Sequence, residues 1–89
     1  MKNLVWDTDK DMKLKIERDV GFEEVIEALL GDGFLNIEKN PSNKYPYQKI
    51  YIVRINNYVY LVPFVEDKEK VFLKTIIPSR KATKKYITN

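Results

Sequence analysis

The apolar residues of this chain change their spacing at one point, Gly31-Asp32-Gly33. Before it, Phe22, Val25, Ile26, Leu29 and Leu30 recur at i, i+3, i+4, i+7 and i+8, the interval that lines one stripe of an α-helix. After it, β-branched and aromatic residues dominate with a period of two as far as Ile77, which is how strands are written. A chain that is helical first and extended afterwards belongs to the α+β class, because its helices can bury their stripes only against a face of its sheet. At 89 residues it fits one domain spanning positions 1–89 and leaves no room for a second.

Local signals divide this frame into elements. Val5-Trp6 reads as a short first strand, and Asp7 or Thr8 is a good N-cap for a helix over about 8–18. Asp9 and Asp11 suit the positive end of its macrodipole, and the glycine and glutamate of a calcium loop are missing around them. A second helix covers 22–30, with Glu23 and Glu24 in its first turn and Gly31 as its stop. One strand follows over 34–38, and residues 39–46, polar and interrupted by Pro41 and Pro46, form a loop that is expected to be the most mobile segment. Strands over 48–55 and 58–65 flank Asn56-Asn57, a pair that accepts the positive φ angles of a two-residue hairpin. A turn over 66–69, a strand over 70–77 and a helix capped by Ser79 and running to about Ile87 complete the chain. The expected architecture is thus two N-terminal helices packed on an antiparallel sheet of about four strands, with a short basic C-terminal helix.

The hairpin fixes a register, since a two-residue turn pairs Ile55 with Tyr58, Arg54 with Val59 and Val53 with Tyr60. Alternation then puts Tyr51, Val53, Ile55, Tyr58, Tyr60, Val62 and Phe64 on one face. Val71, Leu73, Thr75 and Ile77 join them if the next turn pairs Val65 with Lys70. That face is expected to meet the two N-terminal helices. The other face carries Ile50, Ile52, Arg54, Val59, Leu61, Pro63, Phe72, Lys74 and Ile76, and a surface so apolar is expected to be covered in part by the final helix or by another chain.

Composition narrows the chemistry. The chain has no cysteine and no histidine, which removes disulfides, thiolate and imidazole metal ligands, cysteine nucleophiles and the Ser-His-Asp triad together. It has no phosphate-cradling glycine loop and no dinucleotide fingerprint. Any catalyst must be built from Asp, Glu, Lys, Arg or Tyr, and no cofactor or metal is implied. No apolar run reaches the length of a membrane span and no signal sequence opens the chain, so a cytoplasmic protein without membrane contact is expected. The charge is uneven. Residues 68–89 hold seven basic residues against one acidic, a net of +6, while residues 1–67 hold nine against twelve, a net of −3. Cations beside aromatics are what RNA contact requires, with lysine and arginine neutralising phosphates and ring planes stacking bases.

Three segments resemble the landmarks of BrnT-type toxins, which have the form F-x-W-D, K-H-G-V-S-F-E-E-A and R-I-I-S-A-R-x-A-T. Here they read Val5-Trp6-Asp7, then Val20-Gly21-Phe22-Glu23-Glu24-Val25, then Ile76-Ile77-Pro78-Ser79-Arg80-Lys81-Ala82-Thr83-Lys84-Lys85, in the same order and spacing. The family's K-H-G is replaced by Glu17-Arg18-Asp19 and its S-A by Pro78-Ser79, while Arg80 and Lys81 match the basic pair. The resemblance implies a RelE-like ribonuclease toxin of a bacterial type II toxin–antitoxin pair that acts without metal, on free RNA or at the ribosome. It also implies a DNA-binding antitoxin of the BrnA kind as partner. The candidate catalytic cations are Arg80, for the charge that develops on the phosphate, and Arg54. The candidate RNA-binding residues are Lys49, Lys74, Lys81, Lys84 and Lys85. The rival expectation is a module without catalysis that docks its basic helix on nucleic acid or on an acidic protein.

Overall fold

The computed structural model describes residues 2–41, 44 and 47–87. Its elements are β1 (Asn3–Trp6), α1 (Thr8–Arg18), α2 (Phe22–Leu30), β2 (Phe34–Lys39), β3 (Lys49–Ile55), β4 (Tyr58–Glu66), β5 (Lys70–Leu73), β6 (Ile77–Pro78) and α3 (Arg80–Tyr86). The α+β frame and all three helices stand as the sequence predicts. The sheet is larger than four strands and is mixed rather than antiparallel: its order is β1-β5-β4-β3-β2, with β6 also paired to β4. The parallel member is β1, which lies along β5 with Leu4 opposite Val71 and Trp6 opposite Leu73. A strand of four residues has too few alternations to announce its direction, and the crossover through both helices carries the chain from this edge of the sheet to β2 at the opposite one. Of the predicted 39–46 loop, residues 42, 43, 45 and 46 fall outside the described residues, and with them the expectation of mobility.

The first two helices meet at a shared cap. Asp7 accepts a hydrogen bond from the Lys10 amide (3.1 Å) and starts α1. Asp11 does more than face a dipole: it is buried, its carboxylate accepts from the Phe22 amide at 2.7 Å and it pairs with Lys15 at 3.1 Å. Gly21, at the N-cap of α2, has no side chain to offer, so α1 supplies the cap. A Cβ on Gly21 would stand 2.9 Å from that carboxylate, which explains glycine there. The stripe of α2 then buries Phe22, Val25 and Ala28, while Leu30, expected inside, is 64% exposed. Ala28 displaces it because α2 lies tight on the strand entry: a Cβ on Gly33 would come within 2.7 Å of the Ala28 methyl.

Leu14 of α1 and the α2 stripe pack with Val53, Ile55, Val62, Phe64, Val71, Leu73 and Ile76 into one cluster, with Trp6 stacked on Phe22 at 5.7 Å. The hairpin register is the predicted one, with Asn56 and Asn57 at φ 51° and 63°, the two positive angles of a type I′ turn. The next register differs. Val65 lies opposite Phe72, not Lys70, because the Asp67 carboxylate accepts from the Glu69 and Lys70 amides (2.8 Å each) and makes 67–70 the turn. A shift of two leaves the faces of Val71 and Leu73 unchanged. Beyond them the ladder breaks over Lys74, Thr75 and Ile76, and β6 resumes with the register moved by one residue, Leu61 opposite Ile77. A slip of one inverts the faces. Ile76 therefore enters the core at 0% exposure, and Ile77, which was expected there, is 39% exposed. The cause is Pro63, which has no N–H to give the neighbouring strand and sits where the ladder lapses. Its carbonyl still takes the Lys74 amide at 2.8 Å, and Arg18 at the end of α1 donates to the Ile76 carbonyl.

Candidate nucleic-acid interface

The face of the sheet opposite α1 and α2 is covered in part by α3, as its apolar content requires. Ser79 accepts from the Ala82 amide (3.0 Å) and caps the helix. Thr83 ties α3 to the central strand by accepting from the Val59 amide at 2.9 Å, and Val59 is fully buried. This lateral strand amide would otherwise have no partner, since the β6 segment next to it is only two residues long. The helix is thereby held by a side chain that also appears in the third sequence landmark.

Between α3 and the strands lies a cleft of about 370 Å³, floored by Ile50, Ile52 and Leu61 and walled by Ser79, Lys81, Ala82, Lys85 and Tyr86 on one side and Glu38 and Pro41 on the other. At its mouth the Tyr86 hydroxyl accepts from the side-chain Nδ2 of Asn36 at 3.1 Å and lies 3.5 Å from a Glu38 carboxylate oxygen. The Lys85 ammonium sits 5.4 Å from the Tyr86 ring centre. A carboxylate, a phenol and two lysines therefore share one concave surface with an apolar floor wide enough to receive a base.

The predicted cations are placed unequally. Lys81 and Lys85 line the cleft. Arg80 is the first residue of α3, exposed, and forms with Lys84 the neighbouring i,i+4 row, so the helix carries two parallel basic ridges. Arg54 is exposed near the hairpin end of the sheet, opposite Val59 and hence on the face that α3 covers. Lys74 is exposed at the ladder break, its ammonium 4.9 Å from the Phe72 ring centre. Lys49 is the exception. It stands in register with Phe64 on the face that α1 and α2 cover and pairs with Glu66 at 3.3 Å, so it lies across the sheet from the other six.

Glu38 and Asn36 were not singled out by the sequence, and Tyr86 was not among the candidate site residues. Tyr86 ends the basic helix and Glu38 is the penultimate residue of β2, 48 positions earlier; only the tertiary fold joins them. The available signal was the alternation of β2, which puts Asn36 and Glu38 on the side opposite Ile37. Among the described residues no group of acidic side chains is arranged to hold a metal ion, and no helix is long and apolar enough to cross a membrane. No protein-family model, no curated protein and no solved structure matches this chain, and the resemblance of the three landmark segments rests on those residues alone.

Proposed function

We propose that the chain is a ribonuclease toxin of the BrnT-type, RelE-like class, that it cleaves RNA on the α3 face, and that a DNA-binding antitoxin restrains it. The observation that carries this reading is the cleft in which Glu38 and Tyr86 stand among the basic ridges of α3. Lys81 and Lys85 draw the backbone in and Arg54 and Lys74 hold flanking phosphates. The ribose 2′-hydroxyl attacks the adjacent phosphorus while its proton passes to Glu38. The bond to the 5′-oxygen breaks, that oxygen takes up a proton, and the products are a 2′,3′-cyclic phosphate and a 5′-hydroxyl. Arg80 meets the charge that develops on the phosphate, where a planar guanidinium contacts two oxygens and a lysine only one.

The test is incubation with a defined single-stranded RNA followed by analysis of the new ends. Cyclic phosphate ends with wild type, and their loss in Glu38→Gln with RNA affinity retained, support the reading. RNA binding without any cleavage identifies the non-catalytic module instead.

A further inference from the structure

The sheet ends at β2, and its outer edge has no partner among the described residues. Edge strands in stable monomers are usually short, charged or covered. β2 is six residues long, and at its middle Ile37 is 46% exposed. Phe34 and Leu30, on the same side, are 44% and 64% exposed and border a groove of about 300 Å³ with Leu4, Leu29 and Tyr51. The backbone alternates: Asn40 donates to Gln48 of the strand side, and Asn36 and Glu38 stand opposite Ile52 and Ile50, so Ile37 and Lys39 turn their amides and carbonyls outward. The Ile37 amide is met there by the side chain of Asn36 at 2.8 Å, a local substitute for a neighbouring strand.

We infer that this edge pairs with β2 of a second copy, antiparallel about a two-fold axis through Ile37, making one continuous sheet. The self-complementarity of the strand selects both the occupant and the register. A two-fold normal to the sheet keeps like faces together and must therefore centre on a residue. Centred on Glu38, it sets two carboxylates opposite each other; centred on Asn36, it sets Phe34 against Glu38. Centred on Ile37, it makes Ile37 and its symmetry mate a doubly hydrogen-bonded pair, as their outward backbone groups allow. The same register places Asn36, an amide donor, opposite Glu38, a carboxylate acceptor, at both ends of the pair, and joins the two exposed isoleucines on the groove side. The inference does not rest on the ribonuclease reading, since it uses the edge backbone and the side chains of Asn36, Ile37 and Glu38 and not the α3 cations; of these, Glu38 is the carboxylate that reading makes the proton acceptor.

Sedimentation equilibrium of the wild-type protein from about 10 μM to 1 mM, a range that spans weak self-association, is expected to show a species of twice the monomer mass. Ile37→Glu, a change at an exposed position, is expected to abolish it, and Ile16→Glu, at a site 84% exposed on α1, to leave it intact. The chain has no cysteine, so a single introduced thiol reports the register directly. Directly opposed residues lie about 5.5 Å apart at Cα, within disulfide reach, whereas the Glu38 pair would be diagonal at about 7–8 Å. Ile37→Cys is therefore expected to give a disulfide-linked dimer in air and Glu38→Cys no covalent dimer. A wild-type protein that stays monomeric throughout, or crosslinking by Glu38→Cys equal to that by Ile37→Cys, overturns the inference.

Discussion

The two faces of the sheet are built from the same alternating strands and end with opposite chemistries. The face under α1 and α2 is sealed by Phe22, Val25 and Leu14 over Val53, Val62 and Leu73, all nearly inaccessible, and its charges stay at the rim, where Lys2 and Lys49 hold Glu66. The face under α3 is only half sealed: a helix of seven residues covers Val59 and leaves a cleft beside it, with cations on the helix and on the strands that flank it. Two helices stabilise, one short helix leaves a surface. The difference teaches where to look for chemistry in a chain without histidine or cysteine: at the layer that is too small to close.

The comparison breaks most visibly at Phe22. Removing a fully buried ring from the sealed face, Phe22→Ala, is expected to cost about 3–5 kcal/mol, against less than about 0.5 kcal/mol for Leu30→Ala on the same helix. Denaturant titration measures both, and similar values would mean that α2 does not seat as described. Next in size is the shared cap. Asp11→Ala is expected to cost about 1–3 kcal/mol because it leaves the Phe22 amide buried without an acceptor, while Asp9→Ala, an exposed change in the same turn, costs little.

On the open face the expected effects are on binding rather than stability. Lys81→Ala and Lys85→Ala should each leave the denaturation midpoint within error and lower the slope of log RNA affinity against log salt by about one ion. Lys49→Ala, across the sheet, should leave that slope unchanged, and an equal loss would erase the distinction between the faces.

The smallest expected effect is in the pH dependence of the rim. The Glu66 carboxylate is held below the ordinary value of 4.5 by hydrogen bonds from Lys2 and then Lys49. Asp67 is held below 3.8 by the Glu69 and Lys70 amides. A carboxylate depressed in the folded state contributes stability that is present above its unfolded value and lost as pH falls through its folded one. Thermal melts below pH 4.5 should therefore fall less steeply for Glu66→Gln and Asp67→Asn than for wild type, and parallel curves would show that these contacts contribute nothing.

What the sequence made legible follows from how locally each feature is determined. The helices and the hairpin register were readable because a cap, a stripe or Asn56-Asn57 sets each within a few residues. The ladder break was not read, although its signal was present: Pro63 stands in the middle of a central strand, a position proline occupies only where the ladder is interrupted. The parallel placement of β1 was not readable from four residues, nor was the meeting of Glu38 with Tyr86, which depends on β2 and α3 reaching the same side of the sheet. The basic helix was legible as composition; the cleft beside it is a property of packing.

The measurement that bears most directly on the α3 face is the rate of RNA cleavage and the RNA affinity determined on one preparation of Arg80→Lys, with its fold confirmed by circular dichroism. A contact made chiefly in the transition state predicts cyclic-phosphate ends from the wild type, RNA affinity nearly retained in Arg80→Lys, and cleavage reduced about 100-fold. Unchanged cleavage by Arg80→Lys would contradict the account, and so would a wild type that binds RNA and never cuts it.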